Sequence, residues 1–267
     1  MDCRSTIGLR TGSQMPVLGL GTWQLTKDTG GTVGHALHLG YRMIDTACDY
    51  GSQPGIGDAI RRGSVDRASI YLVAKVEESD NAYEASRQYL GEIGVDYADL
   101  ILIHRPPARG VGAELWQGLQ RARGDGLARD IGVSNYSIEQ MRSLERATGE
   151  MPAVNQIEWS PFGHSEAMLD FCRSHQIVIQ AYSPLTRMHR LHDSTLVKVA
   201  RSHHKTPAQI LIRWNLQQGT VPLPKANQKD HLAENLAVFD FELSEADIKT
   251  LNELNERFSS LGSLPYE

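Results

Sequence analysis

Two patterns of apolar and polar positions alternate along the chain. Short apolar runs rich in β-branched residues are separated by longer segments in which apolar residues recur at helical spacing. Several of the short runs are apolar without alternation, which is typical of parallel strands buried on both faces. Eight such runs are present: Leu18 to Gly21, Arg42 to Asp45, Ile70 to Lys75, Ala98 to His104, Ala128 to Ser134, Ala153 to Glu158, Ile177 to Tyr182 and Thr220 to Pro224.

The segments between these runs carry helix start and stop signals. Asn81 to Ile93 places its apolar residues on one stripe, and Gly94 follows as a C-terminal stop. Ser137 to Gln140 is a capping-box sequence, and Thr206-Pro207 is an N-cap followed by proline at the first helical position. Ser244 begins a last predicted helix.

Eight alternating units predict an α/β fold of the (β/α)8 TIM barrel type, with residues 1–267 as one domain. The length of 267 residues suits this architecture, which takes about 250. Ile7 to Arg10 and Gln14 to Val17 form a predicted hairpin, and we expect it to close the bottom of the barrel. The alternative is a doubly wound Rossmann sheet, but Gly19 to Gln24 lacks the third glycine of its fingerprint.

Composition excludes several classes of partner. The net charge is -5, so there is no electrostatic reason to bind nucleic acid or an anionic membrane. No apolar stretch reaches the roughly 18 residues of a membrane helix, and the N-terminus lacks a signal-peptide pattern. The three cysteines are far apart, which predicts neither a disulfide framework nor a metal site. We expect a cytoplasmic enzyme with a small-molecule substrate.

Polar side chains recur where the predicted strands end. In (β/α)8 barrels the active site forms at the C-terminal ends of the strands. Asp45, Lys75, Tyr50 and His104 each have an ordinary structural explanation alone, such as a helix cap or a satisfied core histidine, but together they would supply a proton-delivery system. The strand-end residues are Asp45, Lys75, His104, Ser134, Asn135, Gln156, Tyr182 and Lys225, with Tyr50 five positions after the first.

These residue types suit the reduction of a carbonyl group, which needs a hydride on carbon and a proton on oxygen. Tyr50 is a candidate general acid, and an adjacent Lys75 ammonium would favour its phenolate and so lower its pKa from about 10. Asp45 would hold Lys75 charged and in place. His104 would hydrogen-bond the substrate oxygen and orient it.

These motifs resemble those of the aldo-keto reductase superfamily. Asp45-Thr-Ala with Tyr50, Lys75 after a β run, and Leu102-Ile-His104 are similar to its catalytic tetrad in order and spacing. The resemblance extends from about residue 7 to residue 255, and the length is similar to that of small bacterial members such as 2,5-diketogluconate reductases. Further matching blocks are Gly19 to Trp23, Ile131 to Asn135, Val154 to Glu158, Ala181 to Leu185, Pro224-Lys225 and Glu234-Asn235.

The resemblance implies a nicotinamide cofactor extended across the barrel without a Rossmann domain. Ser134, Asn135 and Gln156 would bind the carboxamide, and Tyr182 would stack on the ring. The pyrophosphate and adenosine end would be held by Ser183, Leu185, Lys225, Asn227, His231, Glu234 and Asn235. His231 stands where the family usually has an arginine, and Ala226 replaces a small hydroxyl residue. We expect NADP(H), with NAD(H) as the alternative.

The substrate side also departs from the family pattern. Many relatives line the pocket with aromatic residues, one of them just after the catalytic histidine, where this chain has Arg105. Glu77 lies two residues after Lys75, and Asp49 precedes Tyr50. With Trp23 these are the candidate substrate contacts, unless they point to solvent. They predict a polar or charged carbonyl substrate in an open site.

Two other functions fit the same residues. One is a non-catalytic nicotinamide-binding sensor or accessory protein, which would not need a phenol beside an ammonium. The other is reduction of a C=N bond, for which Glu77 and Asp49 would suit a cationic substrate. We expect a monomer in either case.

Overall fold

Eight parallel strands form the central sheet of the computed structural model, which describes residues 1–25, 27–264 and 266. The strands of this sheet follow the chain order, each paired with the next. They are β3 (Leu20–Gly21), β4 (Met43–Asp45), β5 (Tyr71–Val76), β6 (Ala98–Ile103), β7 (Ala128–Ser134), β8 (Val154–Glu158), β9 (Val178–Tyr182) and β10 (Val221–Pro222).

Helices separate consecutive strands and cover the outside of the sheet. They are α1 (Thr29–Leu39), α2 (Gln53–Arg62), α3 (Ala82–Ile93), α4 (Ala113–Gly124), α5 (Ile138–Thr148), α6 (Glu166–Ser174), α7 (Ser194–Ser202), α8 (Pro207–Gln217), α9 (Lys229–Leu236) and α10 (Glu245–Asn252). The predicted caps are observed: Asn81 and Ser137 accept from the backbone at the starts of α3 and α5, and Thr206 and Ser244 begin α8 and α10 with capping boxes. None of the described helices is long and apolar enough to span a membrane.

The sheet closes on itself between its first and last strands. The backbone N–H of Gly19 donates to Pro222 O at 3.1 Å, and that of Gly21 donates to Pro224 O at 3.2 Å. A Cβ on Gly21 would lie 2.9 Å from Leu223 O, so this close approach requires glycine. The predicted barrel is therefore confirmed, although β3 and β10 are shorter than their apolar runs because the two prolines cannot donate to the ladder.

A hairpin of β1 (Thr6–Gly8) and β2 (Gln14–Pro16) closes the end of the barrel at which the strands begin. Met15 is fully buried among the side chains of the barrel interior. In the turn between the two strands, Thr11 and Ser13 donate to the two carboxylate oxygens of Asp130, both at 2.6 Å. The predicted hairpin is confirmed, and these contacts attach it to the barrel.

Candidate active site

The four residues of the predicted proton-delivery system lie together at the barrel mouth, the end at which the parallel strands finish. Asp45 is the last residue of β4, Lys75 lies near the end of β5, and His104 directly follows β6. Tyr50 ends a single 3₁₀ turn, Cys48–Tyr50, that follows β4. Because neighbouring parallel strands finish at the same edge, this topology brings together residues that are 25 to 59 positions apart in the sequence.

Asp45 and Lys75 form a buried ion pair. The Lys75 Nζ donates to Asp45 Oδ1 and Oδ2 at 2.8 and 2.9 Å and to Thr46 O at 3.0 Å. The two side chains are 5% and 0% exposed, so all three ammonium hydrogens are satisfied away from water. Gln156 Nε2 also donates to Asp45 Oδ1, at 2.8 Å. A buried charge pair is stable only with such complete hydrogen bonding, which fixes the ammonium in one position.

Tyr50 lies over this ion pair and beside His104. The Lys75 Nζ is 5.1 Å from the centre of the Tyr50 ring, and the rings of Tyr50 and His104 meet edge to face with centroids 6.0 Å apart. The site therefore places a phenol between a fixed cation and an imidazole.

The prediction that Lys75 lowers the pKa of Tyr50 is wrong. Burial raises the pKa of Tyr50 above its ordinary value, and the carboxylates of Asp45 and Asp49 raise it further. The hydrogens of Lys75 all go to Asp45 and Thr46, so the charge of Asp45 offsets that of the ammonium. At neutral pH Tyr50 is protonated, the form that a proton donor needs.

His104 has a partner that the sequence analysis missed. Its Nδ1 lies 2.6 Å from Glu77 Oε1, which also accepts from the Cys48 thiol at 3.1 Å. Burial and the nearby charge of Lys75 lower the pKa of His104 to about 4, so the ring is neutral at pH 7. Alternation along an extended strand places Glu77 on the same side as Lys75, a signal that would have located it.

The other candidate substrate contacts lie at the rim of the mouth. Asp49 and Arg105 are about half exposed, and their charged atoms are 3.7 Å apart. Arg105 also lies 3.5 Å from Glu77 Oε2 and 3.6 Å from Glu78 Oε2. Trp23 is 37% exposed, with the Arg187 guanidinium 4.2 Å from its ring centre. The rim is therefore polar, and its acidic groups already face a cation.

The residues expected at the carboxamide form one hydrogen-bond network at the ends of β7, β8 and β9. Tyr182 Oη donates to Asn135 Oδ1 at 2.9 Å, and Asn135 Nδ2 donates to Ser134 Oγ and His104 O, both at 3.1 Å. Ser134 Oγ donates to Gln156 O at 2.8 Å. Gln156 gives both amide hydrogens to protein partners, Asp45 and Gln180, so its Oε1 is the polar atom that remains for a ligand.

The residues expected at the adenosine end follow β9 and β10 along the same mouth. Ser183 has a left-handed backbone with φ of 47°, which sharply redirects the chain after β9. Lys225, Asn227 and His231 are exposed on the segment from β10 into α9. Asn235 is buried, and Glu234 accepts a hydrogen bond from the Thr206 hydroxyl. This segment offers three exposed basic side chains, Lys225, Lys229 and His231, to an anionic ligand.

Comparisons with known proteins identify the family of the chain. The model of the aldo/keto reductase family matches residues 17–256. An aldo-keto reductase of Mycobacterium sp. (strain JLS) is 40% identical, covering 97% of this chain and 96% of its own length. The solved aldo/keto reductase of Brucella melitensis is 35% identical with a TM-score of 0.89, covering 94% of this chain and 99% of its own.

A second solved structure, the aldo-keto reductase of Bombyx mori in complex with NADP, is 31% identical. Its TM-score is 0.91, and the match covers 97% of this chain and 95% of that one. The sequence and the fold agree, and this chain belongs to the aldo/keto reductase family of oxidoreductases.

Proposed function

We propose that this chain, acting as a single domain and a monomer, reduces polar aldehydes or ketones to alcohols with NADPH and that Tyr50 gives the proton. The observation that carries the proposal is the buried Asp45–Lys75 pair beneath the Tyr50 ring, with His104 against its edge. A protein that only binds nicotinamide has no need of this arrangement.

Tyr50 suits proton donation to an alkoxide, even though its own pKa is raised. An alkoxide is a much stronger base than a phenolate, so the proton moves from Tyr50 to the substrate oxygen as negative charge develops there. The phenolate that remains lies over the Lys75 ammonium, 5.1 Å from the ring centre. Lys75 and Asp45 therefore act as positioning residues that stabilise the charge formed in the reaction.

The residues present fit a nicotinamide cofactor. Ser134, Asn135 and Gln156 would hold its carboxamide, with the Tyr182 ring, fixed through its hydroxyl by Asn135, against the nicotinamide. Bound NADPH supplies the hydride for the carbonyl carbon, and the chain supplies binding, orientation and the proton. The remaining contacts would come from Ser183, Leu185, Lys225, Asn227, His231, Glu234 and Asn235.

NADP(H) is preferred over NAD(H) on two grounds. Lys225 and His231 are both exposed where the family places the 2′-phosphate, and neither has an acidic partner among the hydrogen bonds and ion pairs of the described residues. The Bombyx mori relative is a complex with NADP. The KM values for NADPH and NADH test this choice, and an equal or lower KM for NADH would reverse it.

A polar substrate suits the rim better than a cationic one. Asp49 and Glu77 would attract a cation if they were free, but Arg105 faces both of them. This pairing removes the main reason to propose reduction of an iminium group. A mixed-charge rim around an open mouth favours hydroxylated carbonyl compounds over bulky apolar ketones.

The experiment that tests the proposal is NADPH oxidation with 4-nitrobenzaldehyde by the wild type and by Tyr50→Phe. Loss of a general acid lowers kcat by about 10²- to 10⁴-fold, while NADPH binding, followed by fluorescence, is expected to stay unchanged. A Tyr50→Phe variant within threefold of the wild type would show that another group gives the proton. A wild type that binds NADPH but reduces no aldehyde would favour the sensor.

A further inference from the structure

A buried glutamine links the lower part of the barrel interior to the residues at its mouth. Gln180 lies in the middle of β9 and is fully buried. Its Nε2 donates to Met15 Sδ at 3.1 Å and to Met43 Sδ at 3.5 Å. Its Oε1 accepts from Gln156 Nε2 at 2.9 Å. Gln180 is not among the residues that the sequence predicted for the site, yet it contacts one of them directly.

The two methionines determine which way the Gln180 amide faces. A thioether sulfur accepts a hydrogen bond weakly and has no hydrogen to donate. The end of the Gln180 amide beside the two sulfurs is therefore its NH2 group, and its oxygen faces Gln156. The opposite orientation would place a buried carbonyl oxygen against groups that cannot donate, which costs free energy because water cannot replace the missing donor.

Gln156 is consequently held by two acceptors that lie in different directions. Its Nε2 donates to Asp45 Oδ1 at 2.8 Å and to Gln180 Oε1 at 2.9 Å. One hydrogen bond would fix the position of the nitrogen but would let the amide turn about it, whereas two fix the plane of the amide. The plane in turn sets the direction of Gln156 Oε1, to which none of the described residues donates.

We propose that Gln180 is a positioning residue that fixes Gln156 Oε1 as an acceptor for the NH2 group of the nicotinamide carboxamide and so tightens cofactor binding. The inference rests on the nicotinamide binding of the proposed function, in which Gln156 contacts the carboxamide. Gln180 lies behind Gln156 and acts through it. Asp45 is the other anchor, so the carboxylate that holds Lys75 also holds the group that orients the cofactor.

NADP+ and its 3-acetylpyridine analogue test the fixed acceptor, because the analogue has a methyl group in place of the carboxamide NH2. Calorimetric titration without an aldehyde measures both Kd values. We expect the wild type to bind NADP+ about tenfold more tightly, since the analogue leaves the buried Gln156 Oε1 without a donor. Equal Kd values for the two dinucleotides would overturn the proposal.

Variants inside the barrel separate orientation from packing. Gln180→Met keeps an unbranched side chain of similar length but removes the acceptor. We expect its Kd for NADP+ to rise by about fivefold while that for the analogue stays unchanged, so that the preference falls to about twofold. Met15→Leu is the matched control, because it alters the other side of Gln180 without introducing a donor, and it is expected to keep the preference.

The ratio of the two Kd values is the measurement that a purely structural role would not change. Equal weakening of both dinucleotides in Gln180→Met would show that the residue only supports the barrel, and would contradict the proposal. An unchanged preference in Gln180→Met would contradict it too, and so would an equal loss of preference in Met15→Leu.

The orientation of the two amides is measurable without any variant. Neutron diffraction locates hydrogens, and we expect those of Gln156 Nε2 to point at Asp45 Oδ1 and Gln180 Oε1. The reverse orientation of either amide would overturn the proposal even if Gln180→Met fails to fold. If NADP+ binds with the expected preference but no aldehyde is reduced, the proposed reduction has failed and the role of Gln180 stands. A wild type that binds neither dinucleotide would refute both.

Discussion

Removal of the Lys75 ammonium is expected to damage both stability and activity, for different reasons. Lys75→Met leaves Asp45 buried, 4% exposed, with Gln156 as its remaining side-chain donor. Loss of one partner of a buried pair costs about 3–5 kcal/mol of folding free energy, because the other charge is left uncompensated. We expect the free energy of unfolding to fall by that amount, at the lower end because Gln156 remains.

The loss of activity has its own magnitude. The ammonium lies 5.1 Å from the Tyr50 ring centre, a separation at which a unit charge stabilises the phenolate by about 3 kcal/mol at an effective dielectric constant of about 20. We therefore expect kcat for an aldehyde to fall by roughly 10²-fold in Lys75→Met.

The double variant Asp45→Asn/Lys75→Met separates the two effects. Removal of both charges leaves no uncompensated ion, so stability is expected to recover to within about 1 kcal/mol of the wild type. We expect kcat to rise above that of Lys75→Met without reaching the wild-type value, because the opposing carboxylate of Asp45 is removed as well. Urea unfolding and steady-state NADPH oxidation on the same three proteins measure this. Recovery of activity together with stability would refute the reasoning, and so would a single variant as active as the wild type.

Three further predictions test the fold, the cofactor site and the titration of His104. Gly21→Ala is expected to lower the free energy of unfolding by about 1–3 kcal/mol, because its Cβ would lie 2.9 Å from Leu223 O. The control Gly34→Ala, whose Cβ would point into open space in α1, is expected to be neutral or stabilising. Equal effects of the two variants in urea unfolding would contradict the barrel closure. His231→Arg is expected to lower the KM for NADPH by about tenfold and leave that for NADH unchanged; equal changes in the two KM values would exclude a 2′-phosphate contact. The free energy of unfolding is expected to fall as pH drops from 6.5 towards 4, because in this range only the unfolded state takes up a proton on His104. In urea titrations at several pH values, His104→Gln is expected to show a weaker dependence of the free energy of unfolding on pH. The same dependence in the variant would show that His104 is not the group responsible.

The order of the elements could be predicted from the sequence because their signals are local. The β-branched runs, the Ser137 capping box and Gly94 after α3 each act within a few residues. Polar residues at strand ends likewise located the site, because parallel topology brings such ends together without any knowledge of packing. Local patterns therefore predicted the barrel and the residues that meet at its mouth as the candidate site.

Quantities that depend on contacts across the barrel could not be predicted. Burial and the charge of Asp45, which offsets that of Lys75, raise the pKa of Tyr50. Whether this pKa rises or falls therefore depends on how the side chains pack across the barrel. The Glu77–His104 contact joins the ends of β5 and β6, 27 residues apart. Residue types alone do not specify which carboxylate reaches which ring.

Proton donation by Tyr50 is the central claim, and a single-turnover measurement tests it most directly. Enzyme loaded with NADPH is mixed with an aldehyde, and the loss of nicotinamide absorbance gives the rate of hydride transfer in the wild type and in Tyr50→Phe. We predict a rate about 10²- to 10⁴-fold lower in the variant. Equal rates at equal NADPH occupancy would contradict the assignment of Tyr50 as the proton donor.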